Sequence, residues 1–273
     1  MSNRISTETV TTTSSSSPVA VTTTETEGSG VHISIKAEQL FSIGGFPVTN
    51  GTLLSFIILI IMSAGALLIR RKLSLIPNAL QNIAETLIEG ILSVMDGILG
   101  SRHESERYFP LIATIFIIVL FSNWFGLLPG VGSILFYGHE TAPLFRAPSS
   151  DLNFTLALAL ITVIMVNILG VTAIGIGPHI KKFLNFKSPI AFFTGILEFV
   201  SEIARIISFS FRLFGNIFAG EVLLTVISFL LPYVVPVPFF FLEVFVGFIQ
   251  AFIFSMLALV FTGMAVQEHE VQH

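Results

Sequence analysis

Seven polar residues recur every three or four positions through an otherwise apolar run: Glu198, Ser201, Glu202, Arg205, Ser208, Arg212 and Asn216. At about 100° per residue they form one narrow stripe on a helix whose other faces are Phe, Ile and Leu. An arginine cannot discharge to suit an apolar medium, and holding one near a bilayer centre costs roughly 2.5–3.5 kcal/mol on insertion scales. Such a stripe faces protein or water, and the chemistry open to it is the handling of charge: ion pairing, proton relay or ion conduction. Glu221 lies nine residues beyond Arg212, on about the opposite side of the helix and roughly 13 Å further along its axis. In the last apolar run Glu243 and Gln250 stand seven apart and share a face. An antiparallel hairpin would bring them to the region of Glu221 and Arg212.

Carboxylates outnumber cations in this region. A glutamate left unpaired in a low dielectric can exchange a proton near neutrality, so Glu221 and Glu243 are candidate relay groups. The alternative is a static network of ion pairs and hydrogen bonds that glues the hairpin together. Asn123-Trp124 and Asn167 could donate hydrogen bonds between helices, with packing the favoured role. Asp151 and Asn153 suit a helix cap as well as the mouth of an ion path. His103, His139, His179, His269 and His273 have no partner at ligand spacing, so no metal and no cofactor is expected. No phosphate-cradling loop, nucleophile elbow or zinc motif occurs, so the chain by itself is not expected to be an enzyme.

The elements that must position these residues follow from composition. Of 273 residues, 53% are hydrophobic, 11% are charged and 28 are phenylalanine, and the mean hydropathy is +0.89. This is an all-α polytopic membrane protein by composition, because a bilayer core about 30 Å thick admits apolar helices of about 20 residues. A net charge of -4 leaves no nucleic-acid footprint, and the absence of cysteine removes disulfides and thiol chemistry. Residues 1–30 are a Ser/Thr-rich run expected to be disordered, with no apolar core suited to a signal peptide, and residues 31–273 form one membrane domain. His32 to Pro47 read as a short structured lead-in.

Five spans are predicted, over about 52–69, 110–128, 152–176, 189–231 and 234–266. Between 77 and 99, Leu80, Ile83, Leu87, Ile91 and Met95 repeat at helical spacing, opposite Gln81, Glu85, Glu89 and Asp96. That pattern predicts an amphipathic helix along the membrane surface. Its acidic face suits a protein partner or an aqueous vestibule better than anionic headgroups, and otherwise is simply solvated. The fourth span would measure on the order of 60 Å as one helix, about twice the core, so the last two spans are expected to form a long tilted hairpin. The break between them is Pro232-Tyr233-Val234-Val235-Pro236-Val237-Pro238. Arg146 is expected in a Gly/Pro-rich loop outside the hydrocarbon. With five crossings, Arg70, Arg71, Lys72, Arg102, Arg107, Lys181, Lys182 and Lys187 fall on one side, which predicts an outside amino terminus and a cytoplasmic carboxyl terminus.

The run Ser210-Phe211-Arg212-Leu213-Phe214-Gly215-Asn216-Ile217-Phe218-Ala219-Gly220-Glu221 closely resembles the signature of the a-subunit family of F-type ATP synthases. Asn123-Trp124-Phe125-Gly126-Leu127-Leu128-Pro129, the run Asp151 to Ala157, Glu198, and Gln250-Ala251-Phe252-Ile253-Phe254 follow in the family's order and spacing. The resemblance covers residues 40–268. It implies a proton-translocating stator in a bacterial inner or plasma membrane, in contact with the c-ring subunits, the b subunits of the peripheral stalk and the lipid bilayer. The resemblance implies that Arg212 faces the c-ring carboxylate between two aqueous half-channels. Glu221, Glu243 and Gln250 would surround one channel, Asn216 would sit near the arginine, and Glu198 and Ser201 would lie toward the other. Some members carry histidine where Glu243 stands. The translocated ion is a proton or a sodium ion, a choice that the c ring largely sets. A secondary transporter or ion channel is the competing reading; a transporter calls for inverted repeats and helices broken near the midplane, and neither appears.

Overall fold

The computed structural model describes residues 39–43, 46–71, 79–128, 135–137, 141–143, 145–177, 188–231 and 234–267. The Ser/Thr-rich run of residues 1–30, most of the lead-in before residue 39, Lys72, His139, Glu140, His179, Lys181, Lys182, Lys187, the Pro232-Tyr233 break and the charged end at 268–273 lie outside the described residues.

Among the described residues six long helices carry the fold: α1 (Asn50–Arg71), α2 (Ala79–Leu99), α3 (Arg102–Gly126), α4 (Leu152–Ile174), α5 (Pro189–Leu230) and α6 (Pro236–Gln267). All but α2 are long and apolar enough to cross a bilayer, which gives five spans. Two short antiparallel hairpins accompany them, β1 (Gln39–Ile43) with β2 (Phe46–Thr49) and β3 (Leu135–Tyr137) with β4 (Thr141–Pro143). Strands of three to five residues are too short to show a period of two against an apolar background.

Helix α3 departs most from the sequence-based expectation, starting eight residues before the expected Pro110. Ser101 caps it by accepting a bond from the Glu104 amide at 3.2 Å. This Ser-x-x-Glu arrangement is a strong local start signal that the apolar run alone does not reveal. Pro110 lies exposed inside the helix, where its missing N–H removes only one intrahelical bond. The corner before α3 turns on Gly100, whose φ of 77° suits a residue without a Cβ.

The same corner is clamped by charge. The Arg102 guanidinium reaches Glu89 at 2.8 Å, Asp96 at 3.0 Å and Glu106 at 3.2 Å. The hydrogen bond from Arg102 holds the Glu89 carboxyl below its ordinary value, and a bond from Ser105, followed by Arg102, does the same for Asp96. The predicted apolar stripe of α2 is only half used: Ile91 and Met95 are buried, while Ile83 and Leu87 are exposed and line an open apolar groove with Phe116, Phe248 and Phe252.

Helix α6 is the hub. Gly247, Ala251, Ser255, Ala258 and Thr262 recur at intervals of three or four and are all buried, so backbones approach closely along one seam. Helices α3, α4 and α5 all pack on α6. Asn123 donates to the Gly247 carbonyl at 3.0 Å and Trp124 to the Val244 carbonyl at 3.0 Å. Both side chains therefore tie α3 to α6, the role that packing was expected to outrank. Asp151 caps α4 by accepting from the Asn153 amide at 2.9 Å.

Helices α5 and α6 run antiparallel. Phe209 stacks near Phe254 with ring centroids 4.7 Å apart, Asn216 meets Gln250, and Gly220 meets Glu243. The paired residue numbers sum to nearly the same value at each level, which fixes the register along the hairpin.

Candidate functional site: two polar cavities beside one arginine

Along α5 the polar stripe does not stay in one environment. Ser201, Arg205, Ser208 and Arg212 line a cavity of about 240 Å³, closed on the α6 side by Leu257 and Phe261. Arg205 is committed within it: it pairs with Glu202 at 2.9 Å and lies over the Phe261 ring, 4.0 Å from the centroid. Asn167 of α4 donates to the same glutamate at 3.5 Å. Arg212 is half-buried and donates to the Ser208 hydroxyl at 3.3 Å. Among the described residues it forms no ion pair, whereas Arg146 and Arg205 each hold a carboxylate.

A second cavity of about 240 Å³ opens further along the hairpin, lined among others by Asn123, Arg146, Glu221, Thr225 and Glu243. Glu243 is 5% exposed, and its Oε1 has no hydrogen-bond partner among the described residues. Gly220 is what admits it, since a methyl group there would collide with the Glu243 carboxylate. Between the cavities stand the buried Leu213 and Ile217 and the hydrogen bond from Asn216 to Gln250 at 2.6 Å.

The structure thus brings Ser201 and Arg212 to one cavity, and Glu221 and Glu243 to the other, with Asn216 and Gln250 bonded to each other between them. Glu198 is half-buried on the same stripe as Ser201 and lines neither cavity. Glu221 and Arg212 therefore belong to different surroundings, as their separation on the helix requires.

Arg146 is the residue that sequence reasoning missed. Expected in a loop outside the hydrocarbon, it is 8% exposed and pairs with Glu221 at 3.1 Å. The turn at Pro148–Ser150 folds it inward, with Ser150 Oγ accepting from Arg146 Nε at 3.1 Å. One signal pointed that way: Arg146 is the lone Lys or Arg between Arg107 and Lys181, against an unmatched excess of carboxylates on the last two spans.

Comparison with known proteins adds a line of argument independent of this geometry. The sequence model of the family described as "ATP synthase A chain" matches residues 52–263. ATP synthase subunit a of Campylobacter jejuni subsp. doylei is 40% identical over 72% of this chain and 80% of that protein. The subunit of Campylobacter concisus is 39% identical over 80% and 89%, and that of Moorella thermoacetica 32% identical over 86% and 99%. The matched region includes the residues that line both cavities, Arg212 among them, and the chain belongs to the ATP synthase A chain family.

Proposed function

We propose that the chain is the proton-conducting stator of a rotary ATP synthase membrane sector, and that Arg212 divides two half-channels. The observation that carries this reading is the unmatched charge of Arg212: Arg205 and Arg146 each hold a carboxylate, and among the described residues Arg212 forms no ion pair. A half-buried cation in a membrane helix calls for a counter-charge, and the c-ring carboxylate of the family supplies one. The cavity at Ser201 to Arg212 would form part of one half-channel and the cavity at Arg146, Glu221 and Glu243 part of the other.

Electrostatics gives the cycle. A protonated ring carboxyl is neutral and crosses lipid at low cost, whereas its anion is stable only beside a fixed cation. Arg212 draws the carboxyl into releasing its proton to the exit side, and the carboxylate then moves on to be reprotonated from the entry side. Because the guanidinium keeps its own proton, it does not pass protons between the channels, and ring rotation becomes the conducting route. At about 2.3 kcal/mol per charge per 100 mV, several protons are needed for each ATP.

In this reading the chain lies in a bacterial inner or plasma membrane with its amino terminus outside and its carboxyl terminus in the cytoplasm. The acidic face of α2 lies near the cytoplasmic surface beside the peripheral-stalk b subunits. The test is ATP-driven proton pumping by vesicles carrying the assembled complex. Arg212→Ala is expected to abolish pumping while hydrolysis by detached catalytic heads stays intact; normal pumping by that variant would sink the assignment.

A further inference from the structure

Two guanidinium groups, those of Arg205 and Arg212, line the first cavity from one face of α5. At about 1.5 Å per residue they lie roughly 10 Å apart along the helix axis. We propose that Glu202 is a positioning residue of the ion path: it cancels the charge of Arg205, so that Arg212 is left as the one uncompensated cation among the residues lining this cavity. The inference rests on the half-channel reading above and accounts for the second arginine on the same stripe.

Three helices hold the pair. Within α5, Arg205 Nη1 donates to Glu202 Oε1 at 2.9 Å, with the two side chains only 14% and 13% exposed. From α4, the Asn167 amide donates to the Val163 carbonyl at 2.9 Å and reaches the other Glu202 oxygen at 3.5 Å. From α6, the Phe261 ring lies under the guanidinium, 4.0 Å from its carbon. An ion pair open to water contributes little, whereas one enclosed this way is kept in a single arrangement. Arg205 cannot discharge, so without Glu202 its full charge would stand at the cavity wall. Glu202 does not itself line the cavity, and its effect on the ion path passes through Arg205. A ring carboxylate is stable in the membrane wherever an uncompensated cation stands. A second such cation two turns from Arg212 would give that anion another resting place and would repel protons in the cavity.

The charge at the cavity wall is measurable in membranes carrying the assembled complex. The chain has no cysteine, so a single thiol from Ala204→Cys, on the cavity wall, reports the local potential. The readout is the ratio of its reaction rates with an anionic and a cationic methanethiosulfonate, in which differences of access cancel. Glu202→Gln is expected to raise that ratio about threefold or more by freeing the Arg205 charge, and adding Arg205→Met to bring it back. ATP-driven pumping should fall about threefold or more in Glu202→Gln, within the range that coupled neighbours show. In the Glu202→Gln background, Arg205→Met should recover much of the pumping and Arg205→Lys, which keeps the charge, should not. A merely structural pair behaves differently: glutamine keeps the shape of Glu202, and lysine would substitute for Arg205 at least as well as methionine. An unchanged reagent ratio, near-native pumping by Glu202→Gln, or equal recovery with lysine and methionine would each overturn the proposal. Immunoblots of the membranes put every rate on the same amount of assembled complex. If Arg212→Ala abolishes pumping while Glu202→Gln pumps normally, this assignment fails and the half-channel reading stands.

Discussion

A charged residue inside an apolar helix is informative because of what it leaves unmatched. Arg205 and Arg212 sit two turns apart on one stripe, yet Arg205 spends its charge on Glu202 and Phe261 while Arg212 is left with a serine hydroxyl. The sequence singles out Arg212 by its resemblance to the family signature and by Glu221 beyond it, but does not show which arginine is ion-paired, since that depends on which side chains come within 3 Å or so. Glu221 and Glu243 were legible as a neighbouring pair from helical spacing and hairpin geometry. Arg146 was not, because its burial depends on how a turn folds back between two spans. Gly220 gives a residue-scale prediction. Gly220→Ala places a methyl group against the Glu243 carboxylate, so pumping should fall sharply although alanine favours helix. Membrane levels of the chain should stay near native, because the obstructing atoms are the movable end of the Glu243 side chain. Vesicle pumping and immunoblots of the membranes read both outcomes.

At the scale of elements, hydropathy placed the five spans well, because each is long and uniformly apolar. The ends were less legible: α3 begins eight residues early since its start is set by a cap and a charge clamp, not by apolar periodicity. That clamp has a pH dependence whose sign is fixed. The Glu89 and Asp96 carboxyls sit below their ordinary values of 4.5 and 3.8 in the folded chain, so the unfolded chain binds more protons. Their stabilisation is complete above those values and is lost as pH falls through the lower folded ones. A cysteine placed at buried Met95 should therefore stay protected at neutral pH from a dipyridyl disulfide, a reagent that modifies thiols in acid as well, and become reactive in acid. In an Arg102→Gln background it should react already at neutral pH. The seam of α6 gives a second element-scale prediction. Ala251 is fully buried among facing helices, so Ala251→Leu should cost about 1–3 kcal/mol through overpacking and lower the thermal inactivation midpoint of the solubilised complex.

At the scale of the whole molecule, two cavities lie along one helix hairpin, and in the proposed function Arg212 keeps protons from crossing directly between them. The buried Leu213 and Ile217 pack between the levels of the two cavities, and in the proposed function Arg212 adds a barrier of charge. The sequence carried the charge but not the cavities, since those depend on which faces of α3 and α6 close against α5. Passive proton permeability of vesicles carrying the complex stripped of its catalytic heads tests the division most directly, with the ring locked by a carboxyl-modifying reagent so that rotation does not contribute. With the native chain the locked vesicles should be tight, and with Arg212→Ala they should leak protons measurably faster at equal levels of assembled complex. Locked Arg212→Ala vesicles as tight as the native ones would contradict the account.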